Sequence, residues 1–293
     1  MFRVAFLGLF LSSISAAPVQ IAHDNDDVWL NSGFYQGDID IDEYRNAMGT
    51  KNKLWKDGIV PYIIEDELIE SYSNFKIQAA MDILSEYVNK AGRCITFKKR
   101  TNEDAYISFY KGNGCHSPVG SNGRVQRVSI GEGCAQIKTV QHEILHSLGF
   151  WHEQSRPDRD QYVTIHRENI EPANRYNFNI QPDIDTLGTP YSYYSIMHYK
   201  GNAFSMNGKP TITAKDPEIK YLGADMLSPF YIDVERIRIL YGCPKNTQRT
   251  KRVTPKPDCV DLDDDCALWV SMGQCIHNRL GMAINCRKSC NVC

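Results

Sequence analysis

The string His142-Glu143-Ile144-Leu145-His146-Ser147-Leu148-Gly149-Phe150-Trp151-His152 constrains this chain more than any other feature, because it converges three imidazoles and one carboxylate on a single point. With 8 His and 20 Gly in 293 residues, His-Glu-x-x-His arises by chance in about one chain in a hundred, and adding Gly149 and His152 lowers that to about one in tens of thousands. The spacing is mechanical. Residues four apart on an α-helix lie one turn above each other, so His142 and His146 share a face, with Glu143 beside them. A third ligand on that side requires the chain to bend, and a glycine after the last apolar residue can take the left-handed conformation that ends a helix and returns His152 to the same point. Three protein ligands leave one position open, the arrangement of a catalytic rather than a structural zinc. A surface helix with solvated histidines fits poorly, since Val140, Ile144, Leu145 and Leu148 make the opposite side apolar.

Met1 to Ala17 has one basic residue, Arg3, then an uncharged run from Val4 to Leu11 and small residues ending in Ser15-Ala16-Ala17. This pattern predicts a secretory signal peptide over 1–17. Its apolar run is too short to span a bilayer, and no later segment approaches ~20 apolar residues, so the expected product is secreted, with no membrane span. Ten cysteines, an even number, fit an oxidising compartment. A net charge of -2 provides no basic field for nucleic acid. No Asn-x-Ser/Thr acceptor occurs, so N-glycosylation is not expected.

Residues 18–45 carry Asp24, Asp26, Asp27, Asp38, Asp40, Asp42 and Glu43 against Arg45 alone, a composition that does not fold by itself and reads as a pro-segment. A globular part over 46–244 follows, then a linker over 245–258 with five Lys or Arg and almost no apolar residue. Six cysteines crowd into 259–293, a unit too small to hold itself together without disulfides. In the globular part, Ile59 to Ile64 reads as a first strand, with Pro61 suggesting an edge or strand-start position. A helix is expected over about 74–90, strands at 94–98, 106–110 and 125–130, a glycine-rich loop over 112–123, and the metal helix over about 138–148. Strands first and helices on one side predict an α+β domain with its cleft under the metal helix.

The run from His142 to Val163, HEILHSLGFWHEQSRPDRDQYV, resembles the signature of the astacin family of metzincin zinc endopeptidases. Ser195-Ile196-Met197-His198-Tyr199 is similar to that family's Met-turn, and Phe34-Tyr35-Gln36-Gly37-Asp38-Ile39 to its pro-segment motif. Together these cover 34–243. The resemblance implies a two-lobed domain with a twisted, mostly parallel sheet and an active-site helix, acting on protein or peptide substrates with one Zn2+ per chain. His142, His146 and His152 would be the metal ligands and Glu143 the general base, while Met197 would lie beneath the site. Tyr199 would ligate zinc in the resting enzyme and swing to stabilise the oxyanion. Asp38 would hold the open metal position until an activating protease cuts at Arg45-Asn46, and the freed amino terminus would then fold in to meet Glu153.

The same resemblance pairs Cys94 with Cys243 and Cys115 with Cys134; four cysteines alone allow three pairings. Residues 259–293 resemble the ShK toxin-like (ShKT) module, which implies Cys259 with Cys293, Cys266 with Cys286 and Cys275 with Cys290 among 15 possible connectivities. Channel-blocking members carry a Lys-Tyr pair where this chain has Leu280 and Gly281. Channel block is therefore not expected, and a structural or substrate-targeting tail is. The alternative function is an ShKT-based binding protein or toxin with the protease domain as scaffold, which the intact ligand set disfavours. Lys215 is an exposed basic candidate for recognising an acidic substrate residue.

Overall fold

Short runs rich in β-branched and aromatic residues form the sheet, as their fit to a pleated, half-buried surface requires. A computed structural model describes residues 30, 33–41, 54–223, 231–244, 259–261, 266–271, 275 and 286–291. The expected signal peptide, the Arg45-Asn46 junction, the linker over 245–258, and Leu280 and Gly281 lie outside the described residues.

Strands β1 (Ile59–Ile64), β2 (Thr96–Lys99), β3 (Tyr106–Tyr110), β4 (Cys115–His116) and β5 (Val125–Ile130) make a five-stranded sheet in the order β2-β1-β3-β5-β4. All pairings are parallel except that of β4 with β5, which leaves β4 as an antiparallel edge. Helices α1 (Tyr72–Asn89) and α2 (Ile137–Leu148) pack against each other, and α3 (Tyr231–Leu240) also contacts α1. On α1 the buried residues Ile77, Ala80, Met81, Leu84 and Val88 recur at helical spacing and form one stripe toward the core. A second, two-stranded antiparallel sheet joins β6 (Val163–Ile165) to β7 (Ile212–Ala214).

The edge expectation for Pro61 is corrected. Strand β1 lies between β2 and β3, and Pro61 is in register with Lys98. It is tolerated because the Tyr62 carbonyl faces β2, where Arg100 N–H bonds to it. Successive residues alternate sides, so the nitrogen of Pro61 faces β3, whose pairing begins only at Tyr62. Strand β2 also begins two residues later than expected, because Asn89 at the end of α1 ties down Cys94 and Ile95 with its side-chain carbonyl.

Disulfides join Cys94 to Cys243 and Cys115 to Cys134, as expected. The first closes a loop of 149 residues and ties the start of the sheet to the segment after α3. In the tail, Cys266 pairs with Cys286 and Cys275 with Cys290 around a short helix, α4 (Cys266–Ser271). Cys259 is also disulfide-bonded, while its expected partner Cys293 lies outside the described residues. Among the described residues no helix is long and apolar enough to cross a membrane.

Candidate metal centre

Helix α2 is buried on every side from Val140 to Leu148, which holds His142 and His146 rigidly. It ends where the glycine reading placed its end. Gly149 has φ 116° and donates its N–H to the His146 and Leu145 carbonyls, and Phe150 N–H closes onto the Leu145 carbonyl at 3.0 Å. The turn brings His152 back to the other two imidazoles. His146 Nε2 and His152 Nε2 lie 3.1 and 3.2 Å from His142 Nε2.

Each imidazole is oriented by an acceptor on its far nitrogen. His142 Nδ1 donates to the Ile196 carbonyl at 2.6 Å, His146 Nδ1 to the Phe150 carbonyl at 2.7 Å, and His152 Nδ1 to Gln36 Oε1 at 2.8 Å. The acceptors place the proton on Nδ1 and leave three Nε2 lone pairs facing one another. Burial pushes the His152 imidazole down to about 3, keeping it neutral. Asp38 Oδ2 completes the group at 2.8, 3.5 and 3.3 Å from the Nε2 atoms of His142, His146 and His152. All four residues are buried, with their ligand atoms within 4.8 Å of one another. Lone pairs this close repel unless a cation sits among them, and four donors about 2.0–2.1 Å from one centre in a tetrahedron lie about 3.3 Å apart. The residues therefore fit one zinc ion.

Asp38 is delivered by a tight turn in segment 33–41. Tyr35 and Ile39 exchange backbone hydrogen bonds, Gly37 N–H donates to the Phe34 carbonyl, and Gly37 adopts φ 85°. A Cβ at Gly37 would meet Phe204 at 3.1 Å and the Leu30 backbone at 3.2 Å, so the position demands glycine on both counts. The segment then meets the residue after β4 through one isolated parallel bridge, Ile39 to Ser117. Ser117 N–H donates to the Asp38 carbonyl at 2.9 Å, and Asp40 N–H to the Ser117 carbonyl at 3.1 Å.

Glu143 is fully buried beside the group, and neither carboxylate oxygen has a hydrogen-bond partner. Burial first, and then the Asp38 charge, push its carboxyl well above the usual range. Tyr199 donates its hydroxyl proton to the Gln36 carbonyl at 2.6 Å while segment 33–41 is in place. In this structure it is a hydrogen-bond donor to segment 33–41, because the tight turn puts that carbonyl within reach of the phenol. Met197 is buried, and its carbonyl accepts from Glu153 N–H at 2.8 Å.

Among the described residues, Glu153 is engaged by two arginine side chains and one backbone N–H. Arg236 grips it with two hydrogen bonds of 2.7 and 2.8 Å, Ser192 N–H adds one at 2.7 Å, and Arg156 one at 3.3 Å. One turn earlier on α3, Asp233 accepts from Ser195 Oγ at 2.5 Å and Ile196 N–H at 3.1 Å. Since the Ile196 carbonyl orients His142, α3 supports that ligand through Asp233 and, through Arg236, holds Glu153, the neighbour of His152. Nothing local marks Asp233 or Arg236 in the sequence, and nothing in the motif around Gln36 reveals its contacts; the partners of these three lie 37 to 163 residues away. Lys215 is placed elsewhere. It lines a surface cavity of about 470 Å³ with Arg159, Asp160 and Arg167, and none of the four metal-group residues lines that cavity.

A buried three-histidine centre, built on one helix and its terminating glycine and bonded through His142 to the Ile196 carbonyl, defines the class: a zinc-peptidase type of site. The family profile described as Astacin, a peptidase family, matches residues 47–242, and one described as ShK domain-like matches 258–293. The chain belongs to the astacin family. It is 37% identical over 242 residues to zinc metalloproteinase nas-6 of Caenorhabditis elegans, covering 78% of this chain and 67% of that protein. It is 37% identical to meprin A subunit alpha of Rattus norvegicus, over 80% of this chain and 33% of that one. Among solved structures it resembles high choriolytic enzyme 1, a hatching enzyme zinc-protease from Oryzias latipes, at 40% identity and a TM-score of 0.59, covering 66% of this chain and 95% of that one. Across the curated relatives considered, the chain spans between about a third and two thirds of their length.

Proposed function

We propose that the chain is a secreted zinc-dependent endopeptidase made as a zymogen, with segment 33–41 as its inhibitory strap. The observation that carries this reading is the seating of Asp38 among three imidazoles whose other nitrogens are all anchored. A zinc ion held there would supply Lewis acidity, making a water more acidic and polarising the scissile carbonyl.

The chain's own groups do the remaining work. While Asp38 is in place it fills the position a reacting water needs, and its charge adds to the burial that raises the Glu143 carboxyl. Cutting at Arg45-Asn46 lets the strap leave. Glu143 then loses that negative neighbour, accepts a proton from the attacking water, and passes it to the leaving amine, one carboxylate serving as base and then acid. Tyr199 loses the Gln36 carbonyl and can aim its hydroxyl at the developing oxyanion. The amino terminus created by the cut would approach a Glu153 that already holds Arg236, so it joins an existing pair and does not neutralise a bare carboxylate. The signal-like start and the disulfides support secretion.

The test uses processed protein and a quenched peptide. Glu143→Ala lowers turnover by at least about 10²–10⁴-fold, and a zinc chelator abolishes it until Zn2+ is restored. Full activity in either arm rejects the reading.

A further inference from the structure

Segment 33–41 brings more than a carboxylate to the cleft. Phe34 lays its ring on the imidazole of His116, with centroids 3.8 Å apart and planes inclined by 26°. His116 belongs to β4, the edge of the sheet, and the next residue, Ser117, makes the backbone bonds to Asp38 and Asp40. The imidazole is held firmly. Tyr110 Oη lies 3.0 Å from its Nε2, and the Arg127 guanidinium stacks on the Tyr110 ring at 3.6 Å. Burial pushes His116 down to about 4, so it is neutral at neutral pH and meets Phe34 as an aromatic face. Its Nδ1 has no hydrogen-bond partner.

An extended peptide and segment 33–41 compete for the same free edge, since the backbone groups of Ser117 can pair with only one strand at a time. Once the segment leaves, a flat and rigid imidazole is uncovered beside that edge, and its occupant in this structure is a phenyl ring. We propose that His116, fixed by Tyr110, is a specificity-determining shelf that takes one aromatic substrate side chain at a fixed distance from the scissile bond. This rests on the peptidase reading above. A stacked ring in place of a methyl group is sufficient for a preference of about tenfold.

Cleavage-site profiling of the processed protein on a peptide library tests it. The expected profile has one position enriched about tenfold in Phe, Tyr or Trp over Ala; His116→Ala removes the enrichment and His116→Trp, which keeps an aromatic face, retains it. A wild-type profile with no aromatic position, or one unchanged in His116→Ala, overturns the shelf and leaves the peptidase reading standing. Failure to cut any peptide overturns the peptidase reading and the shelf with it. A second measurement needs no protein variant: a synthetic peptide of residues 30–41 inhibits the processed protein, and Phe34→Ala in that peptide weakens inhibition about tenfold while Phe34→Tyr does not. Equal inhibition by the Phe34→Ala peptide also overturns the shelf.

Discussion

Replacing Arg236 with Met tests whether α3 holds the metal centre together from behind. Arg236 is buried, and its guanidinium makes two charge-assisted bonds to Glu153 and further bonds to Thr189 Oγ1 and the Pro190 carbonyl. Breaking a buried pair by removing one partner costs about 3–5 kcal/mol, because a charge is left in the interior. Here the stranded Glu153 keeps Ser192 N–H at 2.7 Å and the longer Arg156 contact at 3.3 Å, which favours the low end, about 3 kcal/mol. Met matches the length and apolar stem of Arg, so little of the loss comes from packing. Equilibrium urea unfolding of the latent chain, disulfides intact, reads the change. A double-mutant cycle with Glu153→Gln isolates the pair, for which we expect a coupling of at least about 1.5 kcal/mol. A coupling below about 0.5 kcal/mol would mean that Arg236 and Glu153 are each adequately served by their other partners, and the argument that α3 braces the site through this pair would fail.

Three further outcomes follow from the same geometry. Asp38→Ala should give measurable cleavage before processing, or processing several times faster than wild type, in a time course by gel and peptide assay; unchanged latency would remove the inhibitory role. The Asp233 carboxyl is raised from 3.8 to about 6 by burial, which outweighs Arg236, Ser195 Oγ and Ile196 N–H. Between about pH 4 and 6 the folded state therefore holds a proton that the unfolded chain has released, and this site loses up to about 3 kcal/mol of stability as pH rises through that window. Asp233→Asn does not titrate, so its stability relative to wild type should rise from pH 4 to 7, and a flat difference would refute the assignment. Gly149→Ala forces a side chain into φ 116°, which costs about 1–2 kcal/mol. It should weaken zinc retention in a competition titration more than it lowers the unfolding midpoint, and intact zinc affinity would show that His152 does not depend on that turn.

Much of the centre was legible because it is local. Helical periodicity places His142, Glu143 and His146 on one face, and a glycine with nothing but φ to offer places His152; these are properties of an eleven-residue string and need no partner. The strands were legible from their residue types, but their order was not. Pro61 read as an edge or strand-start residue because sequence cannot reveal that β3 starts pairing only at Tyr62. Gln36 looked like a spacer between motif residues, yet its backbone N–H meets Asn177 Oδ1 at 2.9 Å, its carbonyl takes the Tyr199 proton, and its side chain orients His152.

By itself, then, the sequence determined the metal, the ligand set and the family, since these depend on spacings within one helix and its exit and on motifs that survive as strings. Only the tertiary structure decided how those ligands are held. It built the turn and the backbone bonds that seat the expected Asp38, turned Tyr199 onto the strap, paired Glu153 with Arg236, and covered His116 with Phe34. The reason is physical: helix geometry acts over four residues and is encoded locally, whereas a buried charge or ring takes its partner from whichever distant element packing brings within about 3–4 Å.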